Sequence, residues 1–317
     1  MHKYTARFIA FLFFWSAILS IPAFCADTPR VAVLVNRELA PAFRALVDDF
    51  KKTLQDEYPQ AVLREYPLSG DIGKDIEEVI KGKIRLDQTT LILVVGTYPA
   101  EVALKSISDI PVVYSGMLDP FQYPLVRDSV NAAGVDIEVP YPVQLQYYRK
   151  VLPAAQKIGV FYNPDSNQRR VDELTKVFSS QGLETVLFPV KDVKGINAVK
   201  QMDFDALLLI PDALVCQPLV IQQLMITAFK NRVPVLGISR VYVQAGALMA
   251  LECDYAAAGR AAAAIAGRII AGEPPNQIKL VRLEQARYYI NKKIAEQLNI
   301  VIPAEIEKAA AQVYGKQ

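Results

Sequence analysis

The sequence predicts an α/β protein made of two similar open parallel-sheet lobes, each an α/β/α sandwich, joined by a hinge. Three observations carry this expectation. Short apolar runs alternate with amphipathic stretches, the pattern of a parallel sheet covered by helices. Four strand signals recur in the same order, 115 to 127 residues apart. A content of 52% hydrophobic and 21% charged residues over 317 positions suits a folded chain of about two domains.

Residues 1–25 read as a secretory signal peptide. His2, Lys3 and Arg7 form a basic start, Phe8 to Ile21 is apolar apart from Ser16 and Ser20, and Pro22 breaks the run before small residues. The run is shorter than the ~20 residues a membrane span needs, and Pro22 and Phe24 disfavour a lipid-anchored Cys25. A periplasmic protein is therefore expected. Removing this segment takes away the single His, the single Trp and one of three Cys, and leaves 33 basic residues (35 − 2) against 33 acidic ones. Balanced charge argues against a nucleic-acid partner. Without histidine there is no Ser-His-Asp triad, Cys-His dyad or histidine-ligated zinc. Ser69 to Asp75 resembles a phosphate loop only superficially, because its glycines are three apart and Asp75 stands where Ser or Thr is needed. No cofactor and no catalysis are expected. An exported compartment permits a Cys216–Cys253 disulfide, and two buried apolar thiols are the alternative.

Val31 to Val35 is a β-branched strand, followed by a helix over Pro41 to Thr53 with Phe43, Leu46, Val47, Phe50 and Leu54 at helical spacing. Ala61 to Tyr66 reads as a strand and Lys74 to Lys81 as a helix. Leu91 to Val95 is continuously apolar, as a central strand covered on both faces should be. Tyr98 to Ile107 reads as a helix, with strands at Pro111 to Tyr114 and Ala133 to Ile137. The repeat then begins. VAVLVN at 31–36 has a counterpart in IGVFYN at 158–163, LILVVGT at 91–97 in LLLIPDA at 207–213, PVVYS at 111–115 in PVLGIS at 234–239, and GVDIE at 134–138 in MALECD at 249–254. The stretches 136–138 and 253–255 fall where the chain passes between lobes. An Ala-rich helix at 255–271 then returns to the first lobe, 277–283 forms a crossing strand, and two helices close the chain. The lobes are thus 26–137, completed by about 255–276, and 138–254, completed by about 277–317.

Ligands of open parallel sheets bind at the carboxyl ends of strands, and a cleft between two lobes closes by hinge motion. Candidate contacts are therefore strand-end residues: Asn36 and Asn163, Ser115 and Ser239, and the acids Asp119, Asp212 and Asp254. The turn Gly96 to Ala100, with Thr97 as an N-cap, offers N–H groups to an anion. Asp165, Ser166 or Asn167 would cap the helix running to Ser180. Asp212 would hold a ligand ammonium group or else serve as a cap or turn residue.

The chain resembles the ABC-transporter substrate-binding proteins of the type I periplasmic-binding fold, in the family that includes tryptophan and tyrosine binders. The resemblance rests on VGTYPAEVAL at 95–104, PVVYSGMLDP at 111–120, AAGVD at 132–136, Leu145 to Pro153, IGVFYNPDS at 158–166, IPDA at 210–213, PVLGIS at 234–239, GALMALECDYAAAGRAAA at 246–263 and INKKIAEQLNIVIP at 290–303. It implies a monomeric binder that captures a small-molecule ligand, an amino acid or related carboxylate, and delivers it to an ABC permease in the inner membrane. A sensory subunit docking on a receptor or kinase is the alternative, and a secreted hydrolase using strand-end acids is a third. Carried onto this chain, Thr97, Tyr98 and Ala100 would hold a ligand carboxylate and Asp212 an amine, with Asn163, Asp165, Ser166 and Asp254 around it. Three stretches depart from the family pattern. Ser115 to Leu118 replaces a small residue and Thr, Asn131 to Gly134 lacks the Thr of Asn-x-Thr-Gly, and Asp212-Ala213-Leu214 stands for Asp-Asn-Thr. Either the ligand differs from an aromatic amino acid, or Tyr98, Phe121 and Tyr123 supply the contacts.

Overall fold

A computed structural model describes residues 28–198 and 201–315. The expected signal segment and Cys25 lie outside the described residues. The first lobe contains β1 (Arg30–Asn36), α1 (Pro41–Glu57), β2 (Val62–Leu68), α2 (Ile72–Asp75), β3 (Leu91–Val95), α3 (Thr97–Leu104), β4 (Val112–Met117), α4 (Pro124–Arg127) and β5 (Ala132–Asp136). The second contains α5 (Tyr141–Val151), β6 (Lys157–Tyr162), α6 (Pro164–Ser180), β7 (Glu184–Pro189), α7 (Val193–Ala198), β8 (Ala206–Leu208), α8 (Pro218–Lys230), β9 (Val235–Gly237), α9 (Arg240–Gln244) and β10 (Met249–Cys253). The remainder is α10 (Tyr255–Ile270), β11 (Val281–Arg282), β12 (Ala286–Asn291), α11 (Lys292–Leu298), α12 (Ala304–Ala309) and β13 (Gln312–Tyr314).

The sheets run β2-β1-β3-β4-β5-β11 and β7-β6-β8-β9-β10-β12-β13. The first five strands of each lobe thus share one spatial order, with all their pairings parallel. This is the duplicated type I periplasmic-binding-like topology.

Continuous apolar strands follow from two covered faces. In the first lobe Val31, Val33, Val35, Leu91, Leu93 and Val95 pack toward α1 and α10, while Ala32, Leu34, Ile92 and Val94 pack toward α3 and the helical stretch 76–84. In the second lobe α5 and α6 cover one face through Leu145, Tyr148, Val171, Leu174 and Phe178, and α8 covers the other through Val220, Leu224 and Ala228. The Ala-rich sequence of α10 lets it lie close on α1: a Cβ at Gly259 would stand 2.2 Å from the Leu46 carbonyl oxygen. Asp254 starts that helix, its Oδ1 accepting the N–H groups of Ala256 and Ala257 at 3.1 and 3.3 Å.

Several local expectations are corrected. The helix expected over Lys74 to Lys81 is the short α2 followed by a π-helical stretch Ile76–Ile84. The N-cap of α3 is Gly96, at φ +96°, and not Thr97. Asn163 caps α6, its side chain accepting the Asp165 N–H at 3.0 Å, in place of Asp165, Ser166 or Asn167. The stretch 277–283 does not cross to the second lobe. Val281 and Arg282 pair parallel with β5, so the return crossing lies beyond Arg282. The chain end adds two strands to the two expected helices, and β12 runs antiparallel to β10. The edge strand β7 had no counterpart in the sequence reading. Its half-buried pattern follows from having one neighbour, β6.

Candidate functional site

A cavity of about 390 Å³ lies between the carboxyl ends of the two sheets. The first lobe contributes Phe43 from α1, Thr97 at the start of α3, Gly116 near the end of β4 and Leu118 just beyond it, Tyr123, and Tyr255 at the start of α10. The second contributes Leu209 to Pro211, Gly237 to Ser239, and Tyr242. The crossing segment supplies Ile137 to Val139, and the second lobe adds Tyr141 and Gln144 of α5 and Leu251 to Cys253 at the end of β10. Five of the lining residues are aromatic, and Phe43 meets Tyr255 edge-on with ring centroids 5.5 Å apart. Its acids are Glu138 and Glu252, and among the described lining residues none is Lys or Arg.

The floor beside Thr97 is built by two glycines in the left-handed region. Gly96 has φ +96° and Gly116 φ +75°, and a Cβ on Gly116 would stand 3.1 Å from the Gly96 nitrogen and 3.2 Å from Phe43. Side chains at both positions would fill the turn and twist it.

Next to the cavity, two arginine–acid pairs link the second lobe to the first lobe and to the crossing, and a third pair lies beside them within the first sheet. The Arg170 guanidinium on α6 makes two bonds to Glu138, Nε to Oε1 and Nη2 to Oε2, both at 3.0 Å. The neighbouring Arg169 pairs with Asp119, which follows β4 in the first lobe with φ +43°. Arg282 stands 3.4 Å from Asp136. Asp136 accepts the N–H groups of Asp119 and Glu138 at 3.1 and 2.9 Å. Burial pushes the Asp136 carboxyl up to about 6, with its N–H partners and Arg282 opposing. Burial likewise pushes the Cys253 thiol up to about 12. Cys216 and Cys253 are both free.

Of the sequence candidates, the structure places Thr97 and Ser239 in the cavity wall. The others lie outside that lining, and most have partners of their own. Asp212 is 4% exposed, and its two oxygens take four donors: the N–H groups of Asn163, Leu214 and Val215 and the Asn167 amide, at 2.7 to 2.9 Å. It closes the turn after β8, so no oxygen is left for a ligand amine. Asp254 is the α10 cap. Asp119 is held by Arg169 and by Gln122 at 3.0 Å. Tyr98 donates to Asp75 at 2.6 Å. Asp75 also accepts the Ser69 N–H, so the Ser69 to Asp75 segment closes on its own acid. Ala100 and Ser115 are buried. Asn163 caps α6, Asp165 faces Lys191 at 3.6 Å on the surface, and Ser166 is exposed. Asn36 ends β1 beside Leu68. Tyr123 does line the cavity, whereas Phe121 is exposed.

Sequence alone marks Phe43 as an apolar position of α1 and puts Glu138 and Tyr255 at the crossings, and it gives none of these, nor Tyr141, Tyr242 or Glu252, a place in the site. Their signal was position: each lies at or just beyond the carboxyl end of a strand or at the start of a helix facing the crossings.

The model of the family described as ABC transporter substrate binding protein matches residues 30–314. A tyrosine-binding protein of Clostridioides difficile is 24% identical over 230 residues, which span 70% of this chain and 66% of that protein. The ligand-free, open structure of a substrate binding protein with adhesive properties from Clostridium difficile is similar at a TM-score of 0.75 and 22% identity, covering 91% of this chain and 100% of that one. An ABC domain from Streptococcus pneumonia in complex with L-Trp is similar at a TM-score of 0.64 and 21% identity, covering 90% and 100%.

Proposed function

The chain belongs to the family of ABC transporter substrate binding proteins, and from that premise we propose that it captures a small organic solute between its lobes in the periplasm. The solute is an amino acid or a related small molecule, and the loaded protein hands it to an ABC permease in the inner membrane. The family is one of binding proteins and not of enzymes, so the work of the site is recognition and release.

The observation that carries this reading is the cavity itself. It lies at the carboxyl ends of both sheets, where open α/β folds bind ligands, and both lobes and the connecting segments build its wall. Its volume and aromatic lining suit a compact, partly apolar molecule. Relatives whose names record tyrosine and L-Trp as ligands support the same class. Thr97 and the first N–H groups of α3 are the natural seat of a ligand carboxylate.

A thermal-shift screen of the exported form against amino acids, small carboxylates, amines, nucleosides and sugars tests this. An external dye is needed, because the only Trp lies in the signal segment. A ligand at a hundred times its Kd adds about 2.7 kcal/mol, a rise of several degrees. Hits confined to one solute class, and lost on Ser239→Trp, support the cleft. A screen flat after unfolding and refolding to strip carried ligand overturns the proposed solute class.

A further inference from the structure

Resting on the binding reading above, we propose that the cleft selects organic cations, with Glu252 as the counter-ion of a ligand ammonium group on an aromatic or branched apolar body. The charge inventory of the wall points this way. Glu138 is already matched by Arg170, and Asp212 is closed by its own turn. Glu252 is the remaining acid of the described lining.

One Glu252 oxygen, Oε1, accepts the backbone N–H of Arg240 at 2.7 Å, which orients the carboxylate. Arg287 stands opposite on β12, but among the described residues neither its guanidinium nor that of Arg240 forms an ion pair with Glu252. Two tyrosine hydroxyls feel the Glu252 charge, and that of Tyr289 also hydrogen-bonds to the Glu252 carboxylate. After burial, this charge is the next largest cause that raises both Tyr255 and Tyr289 above the ordinary tyrosine range. Tyr255 lines the cavity with Phe43 edge-on against its ring, so an ammonium at Glu252 shares the cavity with aromatic side chains.

The opposite pole is weaker. With no Lys or Arg among the described lining residues, a ligand carboxylate meets no full positive charge there, only neutral donors such as Ser239 and the start of α3, the latter worth about half a unit charge. Pro99 removes one N–H donor even there. The carboxylate of a zwitterion therefore adds little to what its ammonium gains at Glu252, and an anion with the same body gains least.

The test uses stripped, refolded protein and three probes sharing one body: 2-phenylethylamine, phenylalanine and 3-phenylpropionate, each measured by titration calorimetry. A branched aliphatic set, isoamylamine, leucine and 4-methylpentanoate, runs beside it. The amine should bind at least tenfold tighter than the matched acid in one set. Glu252→Gln keeps an acceptor for the Arg240 N–H. It should cost the amine tenfold or more, with little change for the acid, and leave the melting temperature unchanged. An acid that binds as tightly as its amine, or an amine unaffected by Glu252→Gln, overturns the proposal. If the acid binds and Ser239→Trp abolishes it, cation selection falls while the cleft stands. If no probe of either set binds, both fall for these bodies.

Discussion

Arg170 and Glu138 form a two-pronged ion pair between a helix of the second lobe and the segment that crosses to it, with side chains 4% and 15% exposed. Arg170 also donates to the Pro211 carbonyl at 3.0 Å and to the Asn167 side chain. One guanidinium thus ties the crossing, the helix and the turn after β8 together. The turn itself is closed by Asp212, so one polar network stands behind Glu138 and Pro211 of the cavity wall.

Breaking a buried pair from one side leaves the other charge stranded, which costs about 3–5 kcal/mol. Arg170→Ala should therefore lower unfolding free energy by that amount in urea titrations. Arg127→Ala removes an exposed pair with Asp128 and should leave the midpoint where it was. Equal midpoints for the two variants would show that the Glu138 pair contributes nothing special.

Asp136 gives a pH signature. Its carboxyl is 3% exposed and titrates near 6 in the folded chain, against about 3.9 unfolded. Between these values the folded state holds the extra proton. Its contribution is present below pH 4 and is lost as pH rises through about 6, a change on the order of 3 kcal/mol. Glu138, Asp119 and Arg282 surround it and set the rest of the profile. Asp136→Asn keeps an acceptor for the two N–H donors and should remove this slope from pH 4 to 6. Parallel stability curves for wild type and variant would refute the assignment.

Asp212→Ala separates a structural acid from a ligand acid. The variant orphans four donors in a buried turn, so a stability loss of about 2–4 kcal/mol is expected from lost bonds to a charged acceptor. The Kd of any cleft ligand, measured well below the lowered melting temperature, should change less than threefold. A large affinity loss with unchanged stability would return Asp212 to the ligand.

The legible part of this molecule was its strands and their repetition. Two-sided burial forces continuous apolar runs such as Leu91 to Val95, and a duplicated topology repeats them in order. Edge strands are under a weaker constraint: β2 is still legible at Ala61 to Tyr66, whereas the half-buried β7 and the three-residue β13 left no comparable trace. The site was harder for a chemical reason. An aspartate after a strand can cap a helix, close a turn or meet a ligand, and its neighbours in sequence do not distinguish these uses. Asp254 caps and Asp212 closes a turn, through donors two or three residues on and, for Asp212, others at 163 and 167. Phe43 reaches the same cavity as Tyr242 and Glu252 from a helix near the other end of the chain. Only the packing of the lobes reveals that meeting.

Gly116 offers the last prediction, because its backbone and its surroundings can be tested apart. At φ +75° an alanine is strained, and its Cβ would also press on the Gly96 nitrogen, Phe43 and Val95 at 3.1 to 3.2 Å. Gly182 has nearly the same φ, +73°, with nothing within 4 Å of a built Cβ. Gly182→Ala should then cost only the left-handed penalty of about 1–2 kcal/mol. Gly116→Ala should cost that plus about 1–3 kcal/mol of overpacking. Because the crowded atoms form the floor beside Thr97, Gly116→Ala should also weaken cleft ligands at least several-fold, while Gly182→Ala leaves their Kd alone. Equal stability losses and an unchanged Kd would mean the turn gives way around the new methyl, and that the close approach of Gly96 and Gly116 is not what shapes the site.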